Sequence, residues 1–260
     1  MTKKYLIDYG IRNKKVLIVG GTRDLGKEIS LQLLKSGCKV SIIGRNKNLL
    51  NKTINYFKKL KLKNLVGYAA DVSSEKETNQ LIEKFRKEKI NFDIIVYNAG
   101  SSAVVKNSLA SREDFKKVWN LNLGAAVAFN QFAAPYMKRK KWGRIVHVSS
   151  VSAINFSGYT AYVAAKSAVH GYVKSVSRHL AKENIIISAV CPGPMKLKGR
   201  YLSNIEKKNK KEWKDYVKNH LPIGRLATQA EVVNTILFLC SRLASYCSGS
   251  IFTTDGSYHY

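Results

Sequence analysis

The stretch Val16-Leu-Ile-Val-Gly-Gly-Thr-Arg-Asp-Leu-Gly26 decides the fold of this chain. Its four consecutive apolar residues predict a buried strand, and the glycines after them predict a tight turn. The amphipathic stretch from Leu25 to Lys35 predicts a helix that begins directly after this turn. Glycines between a strand and a helix let the backbone approach a phosphate, whose charge the N–H groups and dipole of the helix start stabilise. The stretch therefore predicts the nucleotide-binding βα unit of an α/β fold.

The same alternation of apolar runs and helical patterns continues along the rest of the chain. Six further strands are predicted, at residues 39–43, 65–70, 93–96, 144–148, 185–190 and 250–254. Because these runs are rich in Val and Ile, we expect a parallel sheet with helices on both faces. No linker, repeat or shift of composition divides the chain. We therefore predict a single doubly wound, Rossmann-type α/β domain over residues 1–260, with a seven-stranded parallel sheet and an exposed lysine-rich insertion at about 195–224.

The composition limits the classes of protein to which this chain can belong. Of its 260 residues, 45% are hydrophobic, which excludes a disordered tail and a collagen-like fibre. The four cysteines are scattered, with no Cys-x-x-Cys pair and no histidine at ligand spacing, so we expect neither disulfides nor a metal site. The chain starts without the apolar stretch of a signal peptide, and no apolar run reaches the roughly 18 residues that span a bilayer. We therefore expect a cytoplasmic protein with no membrane partner.

The net charge of +28, from 45 Lys and Arg against 17 Asp and Glu, admits two interpretations. A strongly basic chain could neutralise the phosphates of a nucleic acid. However, Lys, Asn and Ile are all abundant and Lys far outnumbers Arg, which is the pattern of a biased overall composition. Proteins that read nucleic acid favour Arg, whose planar fork fits bases and phosphates. We therefore predict no specific nucleic-acid partner, and keep a polyanion-binding protein as an alternative of another class.

The end of the second predicted strand bears on which dinucleotide would bind. A cofactor with a free ribose hydroxyl usually meets an acidic residue here, whereas a 2′-phosphate prefers a cation. The strand ends Gly44-Arg45-Asn46, without an acid, and Arg23 lies in the first turn. These residues favour NADP(H) over NAD(H), although two arginines could also fall here by chance in so basic a chain.

A Ser, a Tyr and a Lys follow the predicted strand at 144–148 in a pattern suited to acid/base chemistry. Tyr162 and Lys166 are four residues apart and so share one face of a helix. An ammonium close to a phenol favours the phenolate, so we expect the pKa of Tyr162 to be lowered from about 10 towards neutrality. Ser150, after the strand, could hydrogen-bond the same carbonyl oxygen that Tyr162 protonates. Taken alone, the pair could equally be a helix face with a partly buried tyrosine.

Further motifs occur in a fixed order along the chain. They are Gly20-x-x-x-Asp24-x-Gly26, Asp71-Val72, Asn98-Ala-Gly100, Asn122, Ser150, Tyr162-x-x-x-Lys166, Pro192-Gly193, Leu221-Pro-Ile-Gly-Arg-Leu-Ala227 and Asp255-Gly256. Over essentially its whole length the chain resembles the short-chain dehydrogenase/reductase family, most closely the members similar to 3-oxoacyl-acyl-carrier-protein reductase.

The resemblance implies a role for each matching residue. Tyr162 would be the acid/base, Lys166 would hold the nicotinamide ribose, Ser150 would orient the substrate carbonyl, and Asn122 would anchor a water in a proton relay. The implied cofactor-binding residues are Gly20, Thr22, Arg23, Leu25, Gly26, Arg45, Asp71, Val72, Asn98, Ala99, Gly100, Tyr162, Lys166, Pro192, Gly193 and Met195. No metal ligand is implied.

The implied activity is that of an NADP(H)-dependent oxidoreductase that interconverts a carbonyl and a secondary alcohol. Reduction of a 3-oxoacyl thioester is the best single substrate prediction, and oxidation of a polar or sugar-derived alcohol is the alternative. A polyanion-binding protein on a degenerate scaffold of this family stays open as the third possibility. Relatives commonly form tetramers, so we expect a homo-oligomer, a tetramer or a dimer. The apolar residues Ala125, Ala128, Phe129 and Phe132 could pair two chains or face their own sheet.

The insertion at about 195–224 lies where this family has its substrate lid. Its basic residues are Lys196, Lys198, Arg200, Lys207, Lys208, Lys210, Lys211, Lys214 and Lys218, against Glu206, Glu212 and Asp215. A basic rim would steer an anionic substrate, such as one linked to an acidic carrier protein. It could equally be a solvated surface of a lysine-rich chain.

Three residues depart from the family pattern. Asp24 replaces a glycine beside the expected pyrophosphate, and we expect its carboxylate to turn away and cap the helix at Leu25. Leu197 stands where the family has a threonine that steadies the nicotinamide amide. Tyr97 replaces the first asparagine of an Asn-Asn-Ala-Gly run.

Overall fold

The computed structural model describes residues 8–102, 105–197, 199 and 201–258. The strands in this part of the chain are β1 (Lys15–Val19), β2 (Lys39–Gly44), β3 (Leu65–Ala69), β4 (Ile94–Tyr97), β5 (Gly143–Val148), β6 (Ile185–Pro192) and β7 (Ile251–Thr254). The helices are α1 (Asp24–Lys35), α2 (Lys47–Lys59), α3 (Glu75–Lys87), α4 (Arg112–Trp119), α5 (Ala125–Lys140), α6 (Ser152–Asn155), α7 (Thr160–Leu180), α8 (Tyr201–Lys208), α9 (Lys210–His220) and α10 (Gln229–Cys240).

The seven described strands form one sheet in the order β3-β2-β1-β4-β5-β6-β7, and every pairing is parallel. This order reverses direction at β1, as in doubly wound folds. Each predicted strand is present, with ends that differ by at most two residues. The predicted α/β fold is confirmed.

Successive residues of β1 point to opposite faces of the sheet, and each face has its own core. Val16 and Ile18 pack in one core with side chains of α1, α2 and α10. Leu17 and Val19 pack in the other core with side chains of α3, α5 and α7. Because both faces are covered, the strand reads as a continuous apolar run in the sequence.

Apolar side chains of α5 pack in the second core of their own chain. Phe129 is fully buried in the second core. Phe132 lies with its ring centroid 5.8 Å from that of Phe85 and 6.3 Å from that of Phe92. These residues therefore pack within the chain, and pairing of α5 with a second chain stays a prediction.

The insertion forms two helices, α8 and α9. Ile205 and Leu221 are buried, and Met195 pairs with Ala227 in an isolated bridge at the start of the segment. The predicted lid residues Lys198 and Arg200 lie outside the described residues. Within the described residues, no helix combines the length and apolar character needed to cross a membrane. In that same part, no three or more His, Cys, Asp or Glu residues come together as metal ligands.

Candidate active site

The candidate site lies along the carboxyl edge of the sheet. Because all seven described strands run in one direction, the residues that follow them meet at this edge. Gly20 follows β1, Arg45 follows β2, Asn98 follows β4 and Ser150 follows β5 closely. The topology therefore brings the predicted nucleotide-binding and catalytic residues to the same edge of the molecule.

The turn between β1 and α1 admits only glycine at two positions. Gly20 has φ +83°, a left-handed conformation that other residues rarely adopt. A Cβ on Gly26 would lie 1.9 Å from the carbonyl oxygen of Gly20. The side-chain amide of Asn98 donates to that same oxygen at 2.9 Å. Helix α1 thus begins in close contact with the end of β1, and its first N–H groups stay available for an anion.

Asp24 does not cap helix α1, so the predicted cap is wrong. Asp24 is the first residue of the helix itself, and the residue at the cap position, Arg23, makes no side-chain capping bond. The φ of Asp24 is +47°, the left-handed conformation that suits the glycine usual here. Its carboxylate lies 4.0 Å from Arg23 Nε. A capping bond needs the residue before the helix, whereas the tight turn places Asp24 one position later.

The residues predicted to meet the adenosine end lie after β1, β2 and β3. Arg23 and Arg45 are both exposed, and no acid follows β2 directly. Thr22 is buried, and its carbonyl oxygen accepts a hydrogen bond from Thr53 Oγ1 at 2.9 Å. Two exposed arginines therefore flank the place where the first two strands end, and the Nε of Arg23 also lies near the Asp24 carboxylate.

Asp71 and Val72 lie in the turn that follows β3. Val72 is buried, as is Leu25 of helix α1. The carboxylate of Asp71 accepts hydrogen bonds from the N–H and hydroxyl of Ser73, at 2.9 and 2.7 Å. The Asp71 side chain is thus fixed by its own turn, with its backbone N–H bound to Glu77 Oε2.

Lys166, a predicted catalytic residue, is buried, with 3% of its surface exposed. It lies on α7 and its Nζ donates to the carbonyl oxygen of Val148 at 2.8 Å. Burial lowers its pKa to about 8. Lys166 Nζ lies 5.7 Å from the ring centroid of Tyr162, one helical turn earlier. The ammonium is therefore close to the phenol and anchored to the end of β5.

The pKa of Tyr162 departs from the value expected from the sequence. Burial raises this pKa above its ordinary value of 10, and a hydrogen bond with Ser150 opposes the rise. The predicted shift towards neutrality is wrong in this structure, because the loss of hydration outweighs the hydrogen bond with Ser150. A neutral phenol next to a serine hydroxyl can donate a proton to an oxygen that binds between them.

Asn122 completes the catalytic group from a widened turn of helix. Residues Asn120–Gly124 form a π-helical turn between α4 and α5, and Asn122 is 1% exposed. Its Nδ2 donates to the carbonyl oxygen of Val118 at 2.9 Å. A Cβ on Gly100 would lie 2.7 Å from Asn122 Oδ1 and 3.0 Å from Lys166 Nζ. The absence of a side chain at Gly100 therefore leaves space between the amide and the ammonium.

Asn122 Oδ1 is also buried without a hydrogen-bond partner among the described residues. Buried polar atoms are rarely left unpaired, so this oxygen points to a site that a water or ligand atom fills. The cradle at Gly100 and the tight glycine turn after β1 fit a dinucleotide that runs along the carboxyl edge. Asp24 is the one described residue of the turn whose charge opposes that fit.

The predicted residues after β6 line the same edge. A Cβ on Gly193 would lie 2.7 Å from the Cα of Asp255, so the chain passes close to the end of β7. Pro192 accepts a hydrogen bond from the N–H of Val151 at 3.3 Å. Leu197 cannot supply the hydroxyl usual in the family, but its backbone N–H donates to Ser203 Oγ at 2.9 Å. Ala99 packs at the edge of the core, between Asn98 and Gly100.

A cluster behind the catalytic pair was not predicted from the sequence. His170 Nε2 lies 3.0 Å from Ser149 Oγ and 3.2 Å from Cys191 Sγ. Ser149 Oγ donates to the backbone oxygen of Lys166 at 3.4 Å. The spacing of Lys166 and His170, four residues apart on one helix, is the only sequence signal for this contact. The cluster ties β5 and β6 to α7 beneath the catalytic lysine.

The lid lysines point to solvent while most of the lid acids are engaged in contacts. Lys196 Nζ pairs with Glu206 at 2.8 Å, and Glu212 accepts hydrogen bonds from Tyr201 and Asn209. The other described lid lysines are all exposed: Lys207, Lys208, Lys210, Lys211, Lys214 and Lys218. The described face of the lid therefore presents mostly positive charge.

A family described as enoyl-(acyl carrier protein) reductase matches residues 20–259. The chain is 31% identical to a 3-oxoacyl-[acyl-carrier-protein] reductase of Aquifex aeolicus, over 95% of this chain and 97% of that protein.

Two solved structures have the same fold over nearly their whole length. L-sorbose reductase from Gluconobacter frateurii, complexed with NADPH and L-sorbose, has a TM-score of 0.87 at 26% identity, and 97% of this chain and 99% of that chain are covered. A 3-oxoacyl (acyl-carrier-protein) reductase from Agrobacterium tumefaciens, with NADP bound, has a TM-score of 0.86 at 25% identity, with 98% and 99% covered.

Proposed function

The chain belongs to the short-chain dehydrogenase/reductase family, and we propose that it is an NADP(H)-dependent oxidoreductase that interconverts a carbonyl and a secondary alcohol. The observation that carries this proposal is the convergence of Ser150, Tyr162, Lys166 and Asn122 at the carboxyl edge of the sheet. These groups supply a hydroxyl, a neutral phenol, a buried ammonium and an unpaired amide oxygen around one space.

In the reductive direction each residue has one task. When bound, NADPH supplies the hydride for the carbonyl carbon. Ser150 donates a hydrogen bond to the carbonyl oxygen, and Tyr162 donates its phenolic proton to that oxygen as the alcohol forms. Lys166 stabilises the phenolate left behind and holds the nicotinamide ribose. Asn122 holds, through Oδ1, the water that returns a proton towards Tyr162.

The raised pKa of Tyr162 keeps the phenol protonated near neutral pH, which is the form that the reductive direction uses. A phenol that keeps its proton is a donor, whereas oxidation of an alcohol needs the phenolate as base. Lys166, with its pKa lowered to about 8, is still mostly protonated at pH 7. Its charge can therefore stabilise the phenolate that forms when Tyr162 gives up its proton.

The cofactor assignment rests on the residues after the first two strands. The turn from Gly20 to Gly26, with Thr22 and Leu25, would hold the pyrophosphate, and Arg23 and Arg45 would pair with a 2′-phosphate. Asp71 and Val72 would contact the adenine, Asn98, Ala99 and Gly100 the ribose side, and Pro192, Gly193 and Met195 the nicotinamide side. The NADPH and NADP complexes of the two similar structures support this preference.

We propose a 3-oxoacyl thioester as the substrate. Its support is the similarity to 3-oxoacyl-acyl-carrier-protein reductases and the positive face of the lid, which suits an acidic carrier. The similarity to L-sorbose reductase favours a polar or sugar-derived substrate as the second candidate.

We also propose a homo-oligomer. The support is Gly171, an exposed residue of α7. A Cβ placed on Gly171 would have no other atom within 4 Å, so this face of α7 leaves room for a second helix.

The test is turnover of NADPH with a panel of carbonyls that contains a 3-oxoacyl thioester, a ketose and a steroid ketone. We expect consumption of NADPH with the thioester, and faster consumption than with NADH. The Tyr162→Phe variant is the control, since it keeps the fold and removes the acid. Absence of both turnover and NADPH binding, together with steeply salt-dependent binding to nucleic acid, would favour the polyanion-binding alternative. Light scattering gives the oligomeric state.

A further inference from the structure

Tyr97 is a buried phenol at the end of β4 that departs from the family pattern. Its side chain is 1% exposed, and its hydroxyl donates to the carbonyl oxygen of Leu121 at 2.7 Å. Leu121 belongs to the π-helical turn, directly before Asn122. Burial raises the pKa of Tyr97 well above its usual range, so the hydroxyl stays protonated and remains a donor at every working pH.

The π turn at Asn120–Gly124 departs from the hydrogen-bond pattern of an α-helix. In this turn the N–H of Ala125 binds the carbonyl oxygen of Asn120, five residues earlier instead of four. One extra residue in a turn leaves a carbonyl without its α-helical partner, and such bulges are rare outside functional sites. Tyr97 supplies a donor to the carbonyl of Leu121 from outside the helix. The hydroxyl therefore stabilises the widened turn over an ordinary α turn.

The width of this turn decides where Asn122 points. Each residue of an α-helix advances the side-chain direction by about 100°. If the π turn relaxed to an α turn, Asn122 would rotate by about that angle relative to α5. Its Oδ1 would then leave the space that it shares with Gly100 and Lys166. A contact one peptide away from Asn122 thus controls a group of the catalytic site.

The ring of Tyr97 is itself held in place. Its centroid lies 6.1 Å from that of His147, whose ring makes an edge contact with Tyr172 at 5.7 Å. Asn130 Nδ2 bridges the two, 3.0 Å from His147 Nε2 and 3.1 Å from the Tyr172 hydroxyl. Tyr97 and Tyr172 therefore belong to one buried aromatic cluster, in which the Tyr97 hydroxyl donates to the π turn and the Tyr172 hydroxyl accepts from Asn130.

We propose that Tyr97 is a positioning residue that fixes the π turn and thereby holds Asn122 Oδ1 in the proton relay. This inference rests on the proposed function. It assigns a role to the one residue of the Tyr97–Gly100 segment that differs from the family: a hydroxyl that donates to the π turn.

The test compares Tyr97→Phe with the control Tyr172→Phe, since each removes one buried hydroxyl from the same cluster. We expect kcat of Y97F to fall about tenfold with KM for NADPH within twofold, and its solvent deuterium isotope effect on kcat to rise. Y172F should keep both values. A loss of folded enzyme lowers the apparent kcat but leaves the isotope effect unchanged. A rise in the isotope effect therefore distinguishes a displaced Asn122 from a merely less stable protein. Y97F added to Asn122→Ala should change kcat by less than twofold.

Equal behaviour of Y97F and Y172F, or additivity of Y97F with N122A, would overturn the proposal. Crystal structures of the wild type and Y97F decide it independently of turnover. We expect the Tyr97–Leu121 bond in the wild type and a displaced Asn122 Oδ1 in Y97F. If no carbonyl is turned over, the proposed function fails while these structures still test the positioning. If Y97F does not fold, a wild-type structure without the Tyr97–Leu121 bond refutes the inference.

Discussion

Replacement of Asp24 by Asn should tighten NADPH binding about fivefold. Asp24 places a carboxylate in the first turn of α1, where the N–H groups and helix dipole favour an anion. A cofactor pyrophosphate would compete with that carboxylate for the same positive end. Arg23, 4.0 Å away, neutralises the carboxylate only in part because both side chains reach solvent. Asn removes the charge and keeps the tolerance for a left-handed φ.

The magnitude follows from simple electrostatics. Two unit charges about 8 Å apart interact by about 2 kcal/mol at an effective dielectric of about 20. Physiological salt has a Debye length of about 8 Å, which reduces this repulsion to about 1 kcal/mol. That free energy corresponds to about a fivefold change in Kd. Asp24→Gly should give the same gain and also relieve the left-handed backbone, partly offset by the flexibility of glycine in the unfolded chain.

The assay is calorimetric titration with NADPH at low and high salt. The control is Glu28→Gln, which removes a carboxylate one turn further along α1, where it holds Gln32 at 2.7 Å. We expect D24N to bind about fivefold tighter at 0.15 M salt, E28Q to bind within twofold of wild type, and the gain to shrink at 1 M salt. An unchanged or weaker Kd for D24N at low salt would refute the electrostatic reasoning.

Three further predictions concern the catalytic pair and the cofactor. Tyr162→Phe should lower kcat about 1,000-fold with Kd for NADPH within twofold; retained turnover would remove Tyr162 from its proposed role. Arg45→Glu should raise KM for NADPH at least about tenfold and leave KM for NADH nearly unchanged, and an equal rise for both cofactors would contradict recognition of the 2′-phosphate. Burial lowers the pKa of Lys166 from 10.5 to about 8, so the folded state binds fewer protons than the unfolded state between these values. The free energy of unfolding of wild type, measured with urea, should therefore rise by about 3 kcal/mol relative to that of Lys166→Met between pH 8 and 10.5. A difference between the two proteins that does not change with pH would contradict the lowered pKa of Lys166.

The strands could be predicted because a strand that is buried on both faces consists of consecutive apolar residues. β1 is apolar at four successive positions because both of its faces are covered. The carboxyl edge of a parallel sheet then places Gly20, Asn98 and Ser150 together without any knowledge of side-chain contacts. The position of the site thus follows from patterns along the chain.

The errors concern properties set by tertiary contacts. Asp24 has a left-handed φ in a turn where Gly26 closely approaches Gly20. The pattern of capping residues in the sequence does not predict this approach. The pKa of Tyr162 depends on burial, whereas its spacing from Lys166 reports only the nearby charge. The π turn that holds Asn122 has no sequence signal of its own, because its outside donor comes from a different strand.

The three departures from the family pattern affect different parts of the reaction. Tyr97 and Leu197 each keep a hydrogen bond at their position, the first to Leu121 and the second through its backbone to Ser203. Asp24 keeps the backbone conformation of the glycine that it replaces but adds a charge beside the cofactor turn. The chemical step should therefore be normal while cofactor binding is weakened, so wild type should show an ordinary kcat with a high KM for NADPH. D24N should lower that KM and leave kcat unchanged. A parallel change in kcat would mean that the carboxylate acts on the reacting groups rather than on the cofactor.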